Sequence, residues 1–185
     1  NRIMLDVYQQ MGGIRGALAR RADEVFVALN RHQQAVARQL FLRLITLGEG
    51  TEDTRRRVLQ DELHAIGADA MQTVMDAYDE SRLLTFDLDR RTNVSTVEVA
   101  HEAIIREWGR LRQWLDDSRD DIRQQRLLAA ATSEWEKSER DTSYLLRGSR
   151  LEQAKDWRGQ TRLALTAIEE SYLEASVGEQ ARQQQ

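Results

Sequence analysis

Arg82–Leu115 reads RLLTFDLDRRTNVSTVEVAHEAIIREWGRLRQWL. Leu83 to Leu88 and Ser95 to Val99 carry β-branched, aromatic and leucine residues on either side of the polar tip Asp89-Arg90-Arg91-Thr92-Asn93, so the spacing predicts a β-hairpin with a longer loop. Ile104, Ile105, Trp108, Leu111 and Leu115 then recur at helical spacing, which predicts a helix from His101 to Leu115. His101 and Glu102 therefore fall where a strand hands over to a helix. Unpaired backbone N–H groups and the positive end of a helix dipole make such a junction a natural place to meet a phosphate.

Toward the N-terminus the pattern is helical. Residues 1–29 read as a lead-in in which Leu5, Tyr8 and Met11 precede Gly12-Gly13, a joint between two helices, and Ile14, Leu18, Ala22, Val25, Phe26 and Leu29 follow. Asn30 and Gln33 form a capping pair for a helix whose stripe is Val36, Leu40, Phe41, Leu44 and Ile45, up to Gly48. Thr51 to Thr54 offers caps to a second helix, with Val58, Leu59, Leu63 and Ile66 facing inward and Gly67 as its stop. Asp69 and Gln72 open a third, through Met71, Val74, Met75 and Tyr78 to about Glu80. Three helices followed by a hairpin read as a winged helix, at about 30–116.

Toward the C-terminus, Ser118 is expected to cap a helix bearing Ile122, Leu127, Leu128, Ala131 and Trp135, ended by Lys137 to Ser143. Ser149 with Glu152 then opens Leu151, Ala154 and Trp157. The last amphipathic run, Leu163 to Ala175, thins into Gln180 to Gln185, so residues 118–185 are expected to be a helical arm with a frayed tail. The fold class expected is mainly α, a winged helix flanked by a helical lead-in and a helical arm.

Composition agrees with that class. Average usage would place about nine prolines in a chain of 185 residues; there is none. No cysteine is present, which removes disulfides, thiolate metal sites and cysteine nucleophiles and fits a reducing, cytoplasmic setting. No apolar run approaches the roughly 18 residues of a membrane span, and a net charge of −4 gives no global pull toward nucleic acid or anionic lipid. The first residue is Asn1, not methionine, which suggests a piece of a longer protein.

The chemistry-bearing motifs are few. There is no GxxxxGK[ST] loop and no Gly-rich dinucleotide fingerprint, so the chain is not expected to be an enzyme by itself. His101-Glu102 is not a zincin helix, because the position four residues on is Ile105. His32, His64 and His101 fall on different elements, so neither a catalytic nor a metal site is expected. His101 has a plain reading, a ring that caps or packs at a helix start, and a sharper one, an anion contact at that start. Arg55-Arg56-Arg57 and Arg90-Arg91 read as solvated faces or as DNA-phosphate contacts. The acidic Asp69, Asp76, Asp79 and Glu80 on the third helix oppose DNA. Trp108, Trp114, Trp135 and Trp157 read as packing residues.

Taken together, GGIRGALARRADEVF, LFLRLITLGEGTEDTRRRV, RLLTF, VEVAHEAIIREWGRLRQWL and SYLLRGSRLEQAKDW resemble the segment between the ATPase core and the C-terminal repeat sensor of bacterial STAND-class signalling NTPases, the novel STAND NTPase family. These are similar in layout to the apoptosome and plant-resistance ATPases. The resemblance implies an upstream P-loop domain that binds ADP or ATP with magnesium, a winged helix that closes over it, and an arm leading to a repeat domain, often a β-propeller. It aligns Ala100-His101-Glu102 with the family's Met-His-Asp signature, which implies that His101 contacts the ADP β-phosphate. Implied partners are the flanking domains of the same chain, with homo-oligomerisation on activation and neither membrane nor nucleic acid. The alternatives are a DNA-binding winged-helix regulator and a helical protein–protein adaptor.

Overall fold

The computed structural model describes the backbone from Arg2 to Gln185 and the side chains from Gly13 onward. The sequence-predicted Leu5, Tyr8 and Met11 therefore lie outside the described side chains. The chain is mainly helical, with small antiparallel sheets of two and three strands, and it divides into two compact units, 1–117 and 118–185.

In the first unit, helix α1 (Arg2–Ala28) runs unbroken through Gly12-Gly13 where a joint was expected. Two glycines cost a helix only about 0.5–1 kcal/mol each relative to alanine, less than flanking helix formers and later packing restore. Helix α2 (Arg31–Arg43) starts at a full capping box, in which the Asn30 side chain accepts the Gln33 N–H and the Gln33 side chain accepts the Asn30 N–H. Its stripe Val36, Ala37, Leu40 and Phe41 is buried.

Beyond α2 the expected second helix is displaced. Thr54–Arg55 (β2) pairs with Ile45–Thr46 (β1), and Val58–Leu59 (β3) pairs with a distant strand, so Thr51 to Thr54 caps nothing and Leu59 faces solvent. Helix α3 (Gln60–Glu80) begins only after them. It does not stop at Gly67 but kinks at Ala68, which holds φ 49° and ψ −134°. Gly67 serves packing instead: a Cβ there would lie 2.7 Å from that of Met71 and 3.2 Å from a Val36 methyl.

The hairpin forms as β4 (Leu84–Asp89) and β5 (Val94–Val99), paired Leu84↔Val99 through Asp89↔Val94. Sheet order is β3-β5-β4, with β4 at an edge. Its inner face and the helices share one core, in which Phe41 stacks edge-on against Tyr78 (4.8 Å) and Trp108 (5.0 Å).

The helix expected over His101 to Leu115 is two helices, α4 (Glu102–Glu107) and α5 (Gly109–Lys137). Trp108 between them leaves helical geometry at ψ 101°. Its indole N–H donates to Asp23 Oδ1 (2.9 Å), and the ring fills the space beside Phe41 and Trp114, so tertiary contacts bend the chain there. Ser118 caps nothing, because α5 continues through it. Asp116 and Asp117 just before it are engaged along the helix by Arg112 and Gln113 four residues earlier.

The second unit holds the rest of α5, a 3₁₀ turn (Thr142–Tyr144), α6 (Gly148–Gln160) and α7 (Ala167–Gln183) around Leu128, Trp135, Leu145, Tyr172 and Leu173. Ser149 and Glu152 do not cap α6, whose N-cap is Arg147 without a side-chain bond. The capping box of this unit is Thr166 with Glu169, at the start of α7. Buried Glu169 also accepts a hydrogen bond from Gln125 (3.1 Å) and so ties α7 to α5. The expected frayed tail is helical through Gln183.

Candidate functional site: the hand-over from hairpin to helix

Position 101 is set by the sheet. Val99 pairs with Leu84, and the Ala100 N–H donates to the Leu83 carbonyl (2.9 Å), which extends the ladder one residue beyond β5. His101 follows with extended backbone (φ −138°, ψ 126°) as the N-cap of α4, its carbonyl accepting the Ile104 N–H (3.1 Å). Buried Ile104 and Ile105 clamp the helix to the core, so the opposite side of the junction stays open. The imidazole is exposed and makes no capping bond.

The surrounding charges are ordered. Glu102, a potential repulsion for any anion, lies 3.8 Å from both Arg55 on β2 and Arg106 one turn along α4. Arg106 also pairs with Glu52. The loop carrying Glu52 is held from its other end, where the buried Asp53 carboxylate accepts the Gly48 N–H (2.9 Å) and the Arg112 guanidinium (3.2 Å). The result is an exposed ring on a braced corner, with two guanidinium groups beside its acidic neighbour.

The other sequence-predicted groups are dispersed. His32 is exposed at the start of α2, and His64 bonds the Gln72 side chain (2.7 Å) across the Ala68 kink. Among the described residues no group of three or more His, Cys, Asp or Glu could hold a metal ion. Of the arginines, Arg55 faces Glu102, Arg56 donates to the Arg43 carbonyl (2.9 Å), and Arg57 lies 3.5 Å from Glu98. All four carboxylates singled out on α3, Asp69, Asp76, Asp79 and Glu80, are exposed. Trp108 and Trp135 are buried, Trp114 packs on Phe26 and Trp108, and Trp157 donates to Asp121 (3.0 Å).

Sequence reading missed Asp23. Besides Trp108 it accepts a hydrogen bond from Arg110 (2.7 Å), whose guanidinium also lies over the Phe26 ring (4.2 Å). The partners are 85 and 87 residues away in the chain, so no local pattern marks them. The Arg110 hydrogen bond, aided by Trp108, holds the Asp23 carboxyl below the usual range against partial burial. A depressed folded-state value means that the unfolded chain takes up the proton first. The stabilisation is complete above about pH 4–5 and is lost as pH falls through the folded value. Asp23→Asn is expected to flatten that part of the acid limb of a urea-midpoint-against-pH curve, and an unchanged limb would refute the coupling.

No helix among the described residues is long and apolar enough to cross a membrane. The model of the family described as Novel STAND NTPase 1 matches residues 1–143. No curated protein and no solved structure matches.

Proposed function

Because this chain belongs to the Novel STAND NTPase 1 family, we propose that it is the regulatory segment of a signalling NTPase, with a winged helix at 30–116 and a helical arm beyond it. Support for the winged helix is that, after α2 and the separate β1–β2 pair, β3, kinked α3, β4 and β5 follow with sheet order β3-β5-β4, in which short β3 pairs with β5. On this reading the segment carries the ADP or ATP state of an upstream P-loop domain to a downstream repeat domain and to assembly, and turns over nothing itself.

The observation that carries the reading is the exposed His101 ring at the N-cap of α4 with no capping bond of its own. A bound nucleotide with its magnesium supplies negative charge. The chain supplies a ring N–H on backbone positioned by the end of the β5 ladder, and Arg55 and Arg106 draw the Glu102 carboxylate. ADP then favours the closed arrangement only by its differential contact with this corner, and exchange for ATP removes that preference.

The test is His101→Ala in the full-length protein. Loss of one hydrogen bond to a charged group is worth about 1.5–3 kcal/mol, or roughly ten- to a hundredfold in ADP affinity. The activation threshold should fall in parallel, whereas unchanged ADP retention and threshold would refute the role. The DNA-reading alternative is disfavoured by the exposed carboxylates of α3, which repel a phosphate backbone.

A further inference from the structure

We propose that the free edge of β4 is a docking site for an extended partner segment of alternating basic and apolar residues, which adds as a fourth strand beside β4. The Ala100 N–H donates to the Leu83 carbonyl, and the register pairs Leu84 with Val99, so Leu83 and Ala100 form a hydrogen-bonded pair. Such pairs alternate in an antiparallel ladder. Thr85, Asp87 and Asp89 therefore spend their backbone groups on β5, while those of Phe86 and Leu88 point to the other side. β4 is the end strand of its sheet, so this side is an edge.

Side chains define what can pair there. Thr85, Asp87 and Asp89 occupy one face of β4 and are all exposed. On the other face the half-buried Phe86 leads to Leu88, 51% exposed. An added strand meets carboxylates on one face and an apolar strip on the other, which calls for lysine or arginine at alternate positions and apolar residues between them. Asp87 lies 3.9 Å from the exposed Arg57, a pair too solvated to consume its charge, and Asp89 uses one oxygen on the Arg91 N–H. The same carboxylates act as edge protection. A second copy of β4 would bring aspartates against aspartates, and only a cationic strand is admitted.

The test uses the whole chain and a short synthetic peptide of alternating lysine and valine, titrated by fluorescence anisotropy. Binding is expected, with a glutamate–valine peptide at least tenfold weaker. N-methylation of the peptide at the positions facing β4 should weaken binding by at least tenfold, whereas methylation of the alternate positions should not. Leu88→Pro removes an outward N–H together with the leucine side chain of the apolar strip and leaves the β4–β5 ladder in place, and should lose the peptide at least tenfold with an unchanged circular-dichroism spectrum. Asp87→Lys should lose it likewise and bind the glutamate peptide instead. No binding, equal binding of the two peptides, insensitivity to N-methylation and Leu88→Pro, or self-association of the chain through this edge would each overturn the proposal.

Discussion

Trp108→Ala is expected to cost about 3–5 kcal/mol, the range for emptying a buried large aromatic site. Trp108 is 2% exposed and touches Phe41, Tyr78 and Trp114 at ring-centroid distances of 5.0, 6.1 and 5.4 Å. Its N–H also reaches back to Asp23 on α1. Alanine removes the ring that joins α1, α2, α3 and α5, and it removes the reason for the bend between α4 and α5. Helix propensity then favours one helix through position 108, which would re-aim α4 and the His101 corner. Urea unfolding measures the loss. Trp108→Phe keeps most of the volume and forfeits the hydrogen bond, and should cost less than alanine. A loss under about 1 kcal/mol for Trp108→Ala would mean that this aromatic cluster does not organise the first unit.

Gly48→Ala is the second large effect. A Cβ at this position would lie 2.2 Å from the Thr51 carbonyl oxygen and 2.5 Å from that of Glu52, both backbone atoms that no side-chain rotation can move. The loop has to open. Opening draws the Gly48 N–H away from Asp53 and loosens the Asp53–Arg112 contact with α5. Overcrowding of this kind costs about 1–3 kcal/mol and a weakened bond to a buried carboxylate a further 1–3 kcal/mol, so a loss of about 3 kcal/mol is expected. Thermal unfolding reads the total. Amide exchange should show protection lost first across residues 45–55, and a variant as stable as the parent would show that the tight approach is dispensable.

The first effect arises from contacts between residues far apart in the chain, as does the Asp53–Arg112 part of the second, and that is where reading the sequence failed. The capping box of α2 was legible because donor and acceptor are three residues apart. The hairpin was legible because alternation and a polar tip are local signals, and its ladder differs from expectation by a residue at the strand ends. Strand β3 was not legible. Two residues carry no period, and Val58 and Leu59 are extended because Val97 and Thr96 accept them as neighbours. The arginine triplet fell at the start of an expected helix for the same reason: Arg55 is extended because β1 pairs with it, and Arg56 and Arg57 only link β2 to β3.

The candidate site divides in the same manner. That an imidazole stands where the hairpin passes into a helix was plain from the order of residues, since strand and helix periods meet at position 101. That the ring is exposed, that Glu102 is drawn toward Arg55 and Arg106, and that the following helix ends after Glu107 are decisions of the packed structure.

By itself the sequence determined a proline-free, cysteine-free, mainly helical chain with one hairpin, because periodicity and capping are read within a few residues. Only the tertiary structure decided where helices break and where they continue, at Ala68, at Trp108 and through Ser118. Most of a helix's stability in a folded protein comes from tertiary packing and not from local propensity, so contacts such as Trp108 with Asp23 outweigh the local preference.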